Sequence, residues 1–498
     1  MDRSLPGLVA EFGLEHSGSI DGLEISGITV RASDVEPGDL FVGLPGVHTH
    51  GAQFAADARE RGAVAILTDR AGADLAADSG LPAVVVESPR AALGDVSAWI
   101  YQTLEDPPLL FGITGTNGKT SVAYLLEAIL RQLGLVVGLS STAERHIGER
   151  LSVVSRLTTP EASELHALLA RMRESEVRAV AVEVSAQALS QNRIGGIVFD
   201  VVSFTNLSHD HLDDYADMEQ YFAAKLALFE PEHGRRGVVS LDTEWGHRVV
   251  DGCRIPVTTI ATVEGVDAEW RVEILDRRAE ATAFRITGPE GRKLETTIPL
   301  IGWHMAANAG LAIVMLVEAG FELEAIGHAV QDGIDVYLPG RTERVSGDSG
   351  PTVFVDYGHS PDAFINTLDA VRAVTAGRVI MVFGADGDRD ASKRLEMGRV
   401  ASENADIVIV TDYQPRFENP ESIRKALIEG TLRAENQAEL HEVGVPEQAI
   451  RLAVDMAQEG DTILWAGPGH EDYRDIDGVR IPFSARAEAR AALREAGW

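Results

Sequence analysis

Apolar residues at Val122, Leu125, Leu126, Ile129, Leu130 and Leu133 recur at intervals of three, one, three, one and three, which is one face of an α-helix. The spacing predicts a helix over Ser121–Leu133 with Gly134 as its stop. Just before it, the unbroken apolar run from Leu109 to Thr114 reads as a strand, as do Ala179 to Val184 and Val201 to Thr205. Strands alternating with helical segments predict a mostly parallel sheet covered by helices. The same alternation restarts with Val353-Phe354-Val355, Val379 to Phe383, Ile407 to Val410 and Thr462 to Trp465, and ends in a charged helix over Ala485–Ala496. The first hundred residues instead show short strands, Leu40-Phe41-Val42 and Ala63 to Leu67, set off by turns such as Glu36-Pro37-Gly38-Asp39.

Two punctuation points divide this pattern. Pro107-Pro108 disfavours helix at and before itself, and Leu338-Pro339-Gly340 does the same further on. The expected organisation is therefore three α/β domains, 1–106, 107–338 and 339–498. At about 150 residues per domain, 498 residues agree with that number. The hydrophobic share of 45% and charged share of 24% are ordinary globular values, which excludes global disorder and a collagen-like repeat.

Charge narrows the partners. Forty-four Lys and Arg against 77 Asp and Glu give a net charge of −33, so the average field repels polyanions and any phosphate site must be built locally. Nucleic acid is not expected as a partner. The single cysteine, Cys253, excludes an internal disulfide and a cysteine-based metal cluster. No apolar run reaches the roughly 18 residues of a membrane span. The opening MDRSLPGLVAEFGLEH lacks the basic-then-apolar pattern of an export signal, so a cytoplasmic, soluble protein without membrane insertion is expected.

The strongest chemical signal is Gly112-Ile113-Thr114-Gly115-Thr116-Asn117-Gly118-Lys119-Thr120, placed between the predicted strand and the predicted helix. Glycines let backbone N–H groups approach phosphate oxygens, and the helix N-terminus adds positive potential. Lys119 can reach terminal phosphates and Thr120 can hold Mg²⁺, so Gly115, Thr116, Asn117, Gly118, Lys119 and Thr120 are expected around a phosphate ligand and its Mg²⁺. The strict eight-residue phosphate-loop pattern is missed by one position, Ile113. Glu183 and His211 each follow an apolar strand and would sit at the carboxyl edge of the sheet, where open α/β sheets bind ligands. A carboxylate and an imidazole there can hold a Mg²⁺ that keeps most of its waters.

GITGTNGKT resembles the phosphate loop of the Mur ligase family, ATP-dependent enzymes that form amide bonds on cell-wall precursors. The likeness continues through Leu157-Thr158-Thr159-Pro160-Glu161, Glu183-Val184-Ser185, Gln191-Asn192-Arg193, Phe204 to Asp213, Tyr221 to Lys225, Gly340 to Arg344, Asp356 to Asp362 and Gly384 to Asp390. Within that family these segments are similar to the UDP-N-acetylmuramoyl-tripeptide synthetases. The resemblance implies an N-terminal UDP-sugar-binding domain, a central phosphate-loop ATPase domain and a C-terminal Rossmann-like domain that binds the amino acid. It also implies that Lys225 carries CO₂ as a carbamate and becomes a metal ligand with Thr120, Glu183 and His211. Asn308 matches an adenine-contacting residue, and Met305 stands where the family often has another asparagine. Arg341 and Asp356 match ATP-side contacts. Thr158, Thr159, Ser185, Gln191 and Arg193 match contacts to the muramoyl peptide. Ser33 and His48 are the candidates on the uridine side, where Arg31-Ala32-Ser33 replaces the usual Asp-Ser-Arg.

The incoming amino acid is expected at two segments. Thr411-Asp412-Tyr413-Gln414-Pro415-Arg416 aligns with the Asp-Asn-Pro-Arg signature of the meso-diaminopimelate-adding enzymes, with Tyr413 and Gln414 at its first two places. Gly467-Pro468-Gly469-His470-Glu471 resembles Gly-Lys-Gly-His-Glu with Pro468 in place of the lysine. Arg416 can fork onto a carboxylate and Glu471 can take an ammonium, which suits a zwitterionic far end. With Arg389 and Gly467 as further contacts, meso-diaminopimelate is favoured over lysine, ornithine or diaminobutyrate. The implied reaction joins that amino acid to the D-Glu of UDP-MurNAc-L-Ala-D-Glu through an acyl phosphate, in a protein expected to be a monomer. The competing readings are a folylpolyglutamate synthase-like ligase, a non-catalytic ATP-binding regulator and a simple phosphate-loop hydrolase.

Overall fold

The computed structural model describes residues 3–46, 48–148, 157–210 and 212–498, together with the backbone of 151–154. Near the N-terminus a five-stranded sheet has the order Glu15–Ser17, Ala83–Val85, Ala65–Thr68, Asp39–Gly43, Gly27–Thr29. Only its Glu15–Ser17 edge is antiparallel. The helix Pro89–Tyr101 starts where Ser88 Oγ accepts from Ala91 N–H, and it buries Leu93, Val96 and Ile100 against Leu40, Val42 and Leu67.

The central sheet has eleven strands, in the order Lys293–Ile298, Thr282–Thr287, Trp270–Arg277, Val257–Ala261, Gly234–Ser240, Phe199–Phe204, Leu109–Thr114, Ala179–Glu183, Val137–Ser140, Glu144–Ile147, Leu151–Val154. The expected helix is present over Lys119–Gln132, with Gly134 at φ +85° beyond its end. Its apolar face is buried throughout, Val122, Leu125, Leu126, Ile129 and Leu130 all at 0% exposure, so packing holds this helix far more than intrinsic propensity does. The antiparallel run Trp270–Ile298 was not among the sequence expectations. Its period-two signal is legible in hindsight, with Phe284 and Ile286 buried and Ala283 and Arg285 less so.

The C-terminal sheet has six strands, in the order Glu343–Arg344, Thr352–Asp356, Thr462–Ala466, Val379–Phe383, Ile407–Val410, Glu439–Glu442. All but the first are parallel. Val379, Met381 and Phe383 face one buried layer, while Ile380 and Val382 face the other. Helices cover both faces, which is why these strands read as continuous apolar runs and not as alternations. Each such Val or Ile contributes about 1.5–3 kcal/mol relative to exposure.

The chain forms two compact units, Met1–Gly112 with Leu135–Val202 and Ala227–Arg236, and Ile113–Gly134 with Ser203–Leu226 and Gly237–Trp498. No helix among the described residues is long and apolar enough to cross a membrane.

Candidate active site

In the second unit the phosphate loop leaves its strand at Gly115 and enters the helix at Gly118, whose φ of +89° favours glycine. A Cβ on Gly115 would lie 1.9 Å from Thr205 Oγ1, and one on Gly118 would lie 2.7 Å from Asn308 Oδ1. The segment after Phe204 clamps the loop. Thr116 N–H donates to Asn206 O at 2.9 Å, Asn117 N–H to Asn206 Oδ1 at 3.0 Å, and Thr205 Oγ1 to Asn117 O at 2.6 Å. Lys119 Nζ folds back to the carbonyls of Gly115 and Thr116 at 3.0 and 2.9 Å. The helix has no side-chain cap at Gly118, so its first turn presents backbone N–H groups, a cradle suited to a polyphosphate. Asn206 and Thr205 belong to the quoted likeness, yet their clamping role was not read from the sequence.

Lys225, on the helix Met218–Leu226, is wholly buried and donates to Gly115 O at 2.7 Å. Burial first, and Lys119 second, hold its ammonium well below the usual lysine range. The Tyr221 ring lies 4.5 Å from Nζ, and the Tyr221 hydroxyl is 3.2 Å from Thr116 Oγ1. His211 lies outside the described residues. Its predecessor Asp210 is buried and pairs with Lys393 at 2.9 Å.

Arg341 donates to Thr120 Oγ1 at 3.1 Å and lies 4.2 Å over the Tyr357 ring. Asp356 Oδ2 accepts from Thr342 N–H and Oδ1 from Gly358 N–H, both at 2.7 Å, while its carbonyl accepts from Gly467 and Gly469. Asp356 thus ties three loops together. Asn308 is buried against the start of the phosphate-loop helix.

The segments expected to hold the amino acid all emerge from the carboxyl ends of parallel strands of the six-stranded sheet. Tyr413 Oη and Gln414 Nε2 both donate to Glu471 Oε2. Burial pushes the Glu471 carboxyl up, against the opposing pull of the Tyr413 hydrogen bond. Burial and Glu471 push the Tyr413 phenol well above its ordinary value. Arg416 stands at φ +52°, pinned by Asp475 O and Asp477 N–H. Arg416 Nε and Asp386 Oδ1 are buried and make no hydrogen bond among the described residues. Gly467 closes one side, 3.9 Å from Tyr413 Cδ1 if it carried a Cβ. Arg389 is half exposed and lies 3.8 Å from Asp213.

In the first unit, Glu183 is fully buried, and its carboxylate accepts from Thr142 N–H at 2.9 Å and Thr142 Oγ1 at 3.1 Å. Thr158 Oγ1 is 3.0 Å from Thr142 Oγ1, and Thr159 Oγ1 donates to Glu183 O at 2.8 Å. Ser185 N–H donates to Thr159 Oγ1 at 3.0 Å, Arg193 Nη1 to Thr159 O at 3.3 Å, and Arg193 Nη2 to Gln191 Oε1 at 2.6 Å. Six residues named from the sequence, Glu183, Thr158, Thr159, Ser185, Gln191 and Arg193, are therefore one cluster. Thr142, and Arg90 through its pair with Glu161, complete it without having been singled out. Ser33 is exposed with its hydroxyl on Asp34 at 3.0 Å, and His48 is exposed.

Comparison with known proteins matches three family descriptions along the chain. Residues 24–101 match the Mur ligase family catalytic domain, 113–316 the Mur ligase middle domain, and 340–469 the Mur ligase glutamate ligase domain. A UDP-N-acetylmuramyl-tripeptide synthetase of Leifsonia xyli is 61% identical over 498 residues, covering 100% of this chain and 97% of that one. The chain belongs to the Mur ligase family. As a Mur ligase it is an ATP-dependent ligase with the three-domain α/β fold. A Streptomyces avermitilis UDP-N-acetylmuramoyl-L-alanyl-D-glutamate–2,6-diaminopimelate ligase is 42% identical, covering 95% of this chain and 93% of that one. A solved structure of a ligase with the same activity name superposes with a TM-score of 0.68 at 26% identity, covering 100% of both chains. These likenesses do not favour the folylpolyglutamate, regulator or hydrolase alternatives.

Proposed function

We propose that this Mur ligase joins a diamino acid to the D-Glu of UDP-MurNAc-L-Ala-D-Glu, as a cytoplasmic, monomeric enzyme acting on small molecules. The observation that carries this reading is the Glu471 carboxylate, bonded by Tyr413 and Gln414 at the carboxyl edge of the six-stranded sheet, with the charge of Arg416 acting on it. Opposite charges there suit the far end of a diamino acid, with meso-diaminopimelate favoured because Arg416 can fork onto its second carboxylate. The name of the 42% identical Streptomyces avermitilis ligase supports diaminopimelate, while that of the 61% identical Leifsonia xyli synthetase names no amino acid. Residues 1–106 would hold the UDP-sugar, 107–338 ATP and the muramoyl peptide, and 339–498 the amino acid.

The acceptor carboxylate attacks the γ-phosphate of ATP, giving an acyl phosphate and ADP. The amine then attacks the acyl carbon and phosphate leaves. Backbone N–H groups of 115–120 and Lys119 hold the phosphates, a task of positioning and electrostatics. Arg341, which donates to Thr120 Oγ1, would add positive charge beside those phosphates.

In the second unit, the Thr120 hydroxyl and a carbamate on Lys225 would suit Mg²⁺, since both offer oxygen donors to a hard cation. When bound it offsets negative charge on the phosphate oxygens. The low basicity of buried Lys225 supports carbamate formation, because the neutral amine adds to the carbon of CO₂ and releases a proton. A panel of meso-diaminopimelate, lysine, ornithine and diaminobutyrate with ATP and UDP-MurNAc-L-Ala-D-Glu, read by product mass and ADP release, tests the proposal. Tripeptide product with stoichiometric ADP is expected; ADP release without any ligated product would refute it.

A further inference from the structure

Lys393 and Asp210 are separated by 183 residues, yet Lys393 Nζ lies 2.9 Å from Asp210 Oδ1, with the two residues only 8% and 7% exposed. Neither residue is among the groups assigned above to nucleotide, metal or amino acid. Asp210 stands directly before His211 in the chain, and its charge is felt at both Lys225 and Tyr221. His359 Nε2 lies 3.9 Å from its other oxygen. The neighbouring residues repeat the contact, with His209 Nε2 3.2 Å from Ser392 Oγ and 3.3 Å from Asp390 Oδ2.

The segment that carries Lys393 is itself fixed to the amino-acid loop. Gly387 N–H donates to Gln414 O at 2.8 Å, and Phe417 N–H to Asp388 Oδ2 at 2.9 Å. Arg394, 4% exposed, forks onto both oxygens of Glu418 at 2.6 and 2.7 Å and reaches Asp386 O at 3.0 Å. A continuous set of hydrogen bonds therefore runs from Gln414 and Glu418 through 386–394 to Asp210.

A buried ion pair is a weak source of stability, because the desolvation of two charges offsets much of their attraction. Its geometric value is greater, since it allows only one placement of the two segments. We propose that Lys393 is a positioning residue for phosphoryl transfer: through Asp210 it fixes the segment 205–210, whose Thr205, Asn206 and Ser208 bond the phosphate loop, relative to the amino-acid loop. This rests on the ligase reading given above.

The experiment measures the single-turnover burst of ADP with ATP and UDP-MurNAc-L-Ala-D-Glu, before amine is added. Wild type, Lys393→Met, Lys393→Arg and the double variant Asp210→Asn/Lys393→Met are compared, with ATP affinity measured directly by calorimetry and stability by urea unfolding. Because the double variant removes both charges of the pair, it separates folding from positioning. Lys393→Met and the double variant should slow the burst about 100-fold, the scale expected for a 1 Å misplacement, with ATP affinity changed less than about threefold. Lys393→Arg should recover most of the rate. A folded double variant with a burst within about twofold of wild type overturns the positioning role. A wild type that gives no burst but binds ATP overturns the ligase reading itself, and the role with it.

Discussion

Lys225 Nζ donates to the carbonyl oxygen of Gly115 at 2.7 Å, so a wholly buried lysine is held against the first glycine of the phosphate loop. Its depressed basicity leaves the amine largely neutral at a lower pH than an exposed lysine would need, and the neutral amine is the form that adds CO₂. Lys225→Ala is expected to lower turnover by on the order of 100-fold or more, with short carboxylates restoring part of it. CO₂ depletion should inactivate the wild type reversibly, and bicarbonate should restore it. An active, CO₂-equilibrated enzyme whose carbon NMR shows an unmodified lysine would refute the carbamate.

Lys119→Ala removes a charge from a loop and no core volume. Ligation should be abolished while urea unfolding stays near that of the wild type, since Lys119 lies at the end of the loop and donates to the loop carbonyls of Gly115 and Thr116. Near-normal turnover by the folded variant would show that the loop does not hold the transferring phosphate.

Gly118→Ala should be harmful for two independent reasons. The residue sits at φ +89°, and the added Cβ would meet Asn308 Oδ1 at 2.7 Å. Strain of about 1–3 kcal/mol is expected, together with weakened ATP binding. Asn308→Ala in the same chain should relieve the contact and leave the backbone cost, which calorimetry of ATP binding and unfolding midpoints can resolve.

Arg416→Ala should be selective. If a substrate carboxylate pairs with Arg416 in the desolvated pocket, its loss costs about 2–5 kcal/mol on meso-diaminopimelate. That is on the order of 30-fold to several thousand-fold in kcat/KM, while lysine and ornithine should lose much less. Equal losses on all three, with wild type preferring lysine or ornithine, would place the preference for meso-diaminopimelate in error.

His304 supplies a pH dependence. Burial holds its imidazole down to about 4, and its Nδ1 is buried without a hydrogen-bond partner among the described residues. Between about 4 and the ordinary 6.5 the unfolded chain binds the proton and the folded chain does not, so stability rises with pH across that window. Folding free energy from urea titrations should fall as the pH drops from 6.5 toward 4, by up to about 1.4 kcal/mol per pH unit for this group. His304→Gln should flatten the slope by about one proton; an unchanged slope would mean that His304 does not titrate on unfolding.

Much of the scaffold was legible in the chain because its cause is local. The strands Val379–Phe383 and Ile407–Val410 coincide with their apolar runs, since both faces of that sheet are buried. The phosphate-loop helix follows from its three-and-four spacing, and the glycines around it mark where backbone must approach phosphate or a neighbour closely. The amphipathic strands of Trp270–Ile298 were legible in principle, but their alternation is short and interrupted by polar turns.

What only the tertiary structure decided is which distant groups share an environment. Lys225 reads as a solvated helix lysine in the chain, and becomes a buried, weakly basic amine because its helix places it on a loop carbonyl 110 residues away. Glu471 and Tyr413 lie 58 residues apart and Asp210 and Lys393 lie 183 apart, distances at which sequence spacing carries no geometric information. Local pattern determines which segments can be strand, loop or helix, because neighbours along the chain set backbone preference and face. Burial, charge partners and hydrogen-bond closure depend on what the fold brings against each side chain, and those decide basicity and position.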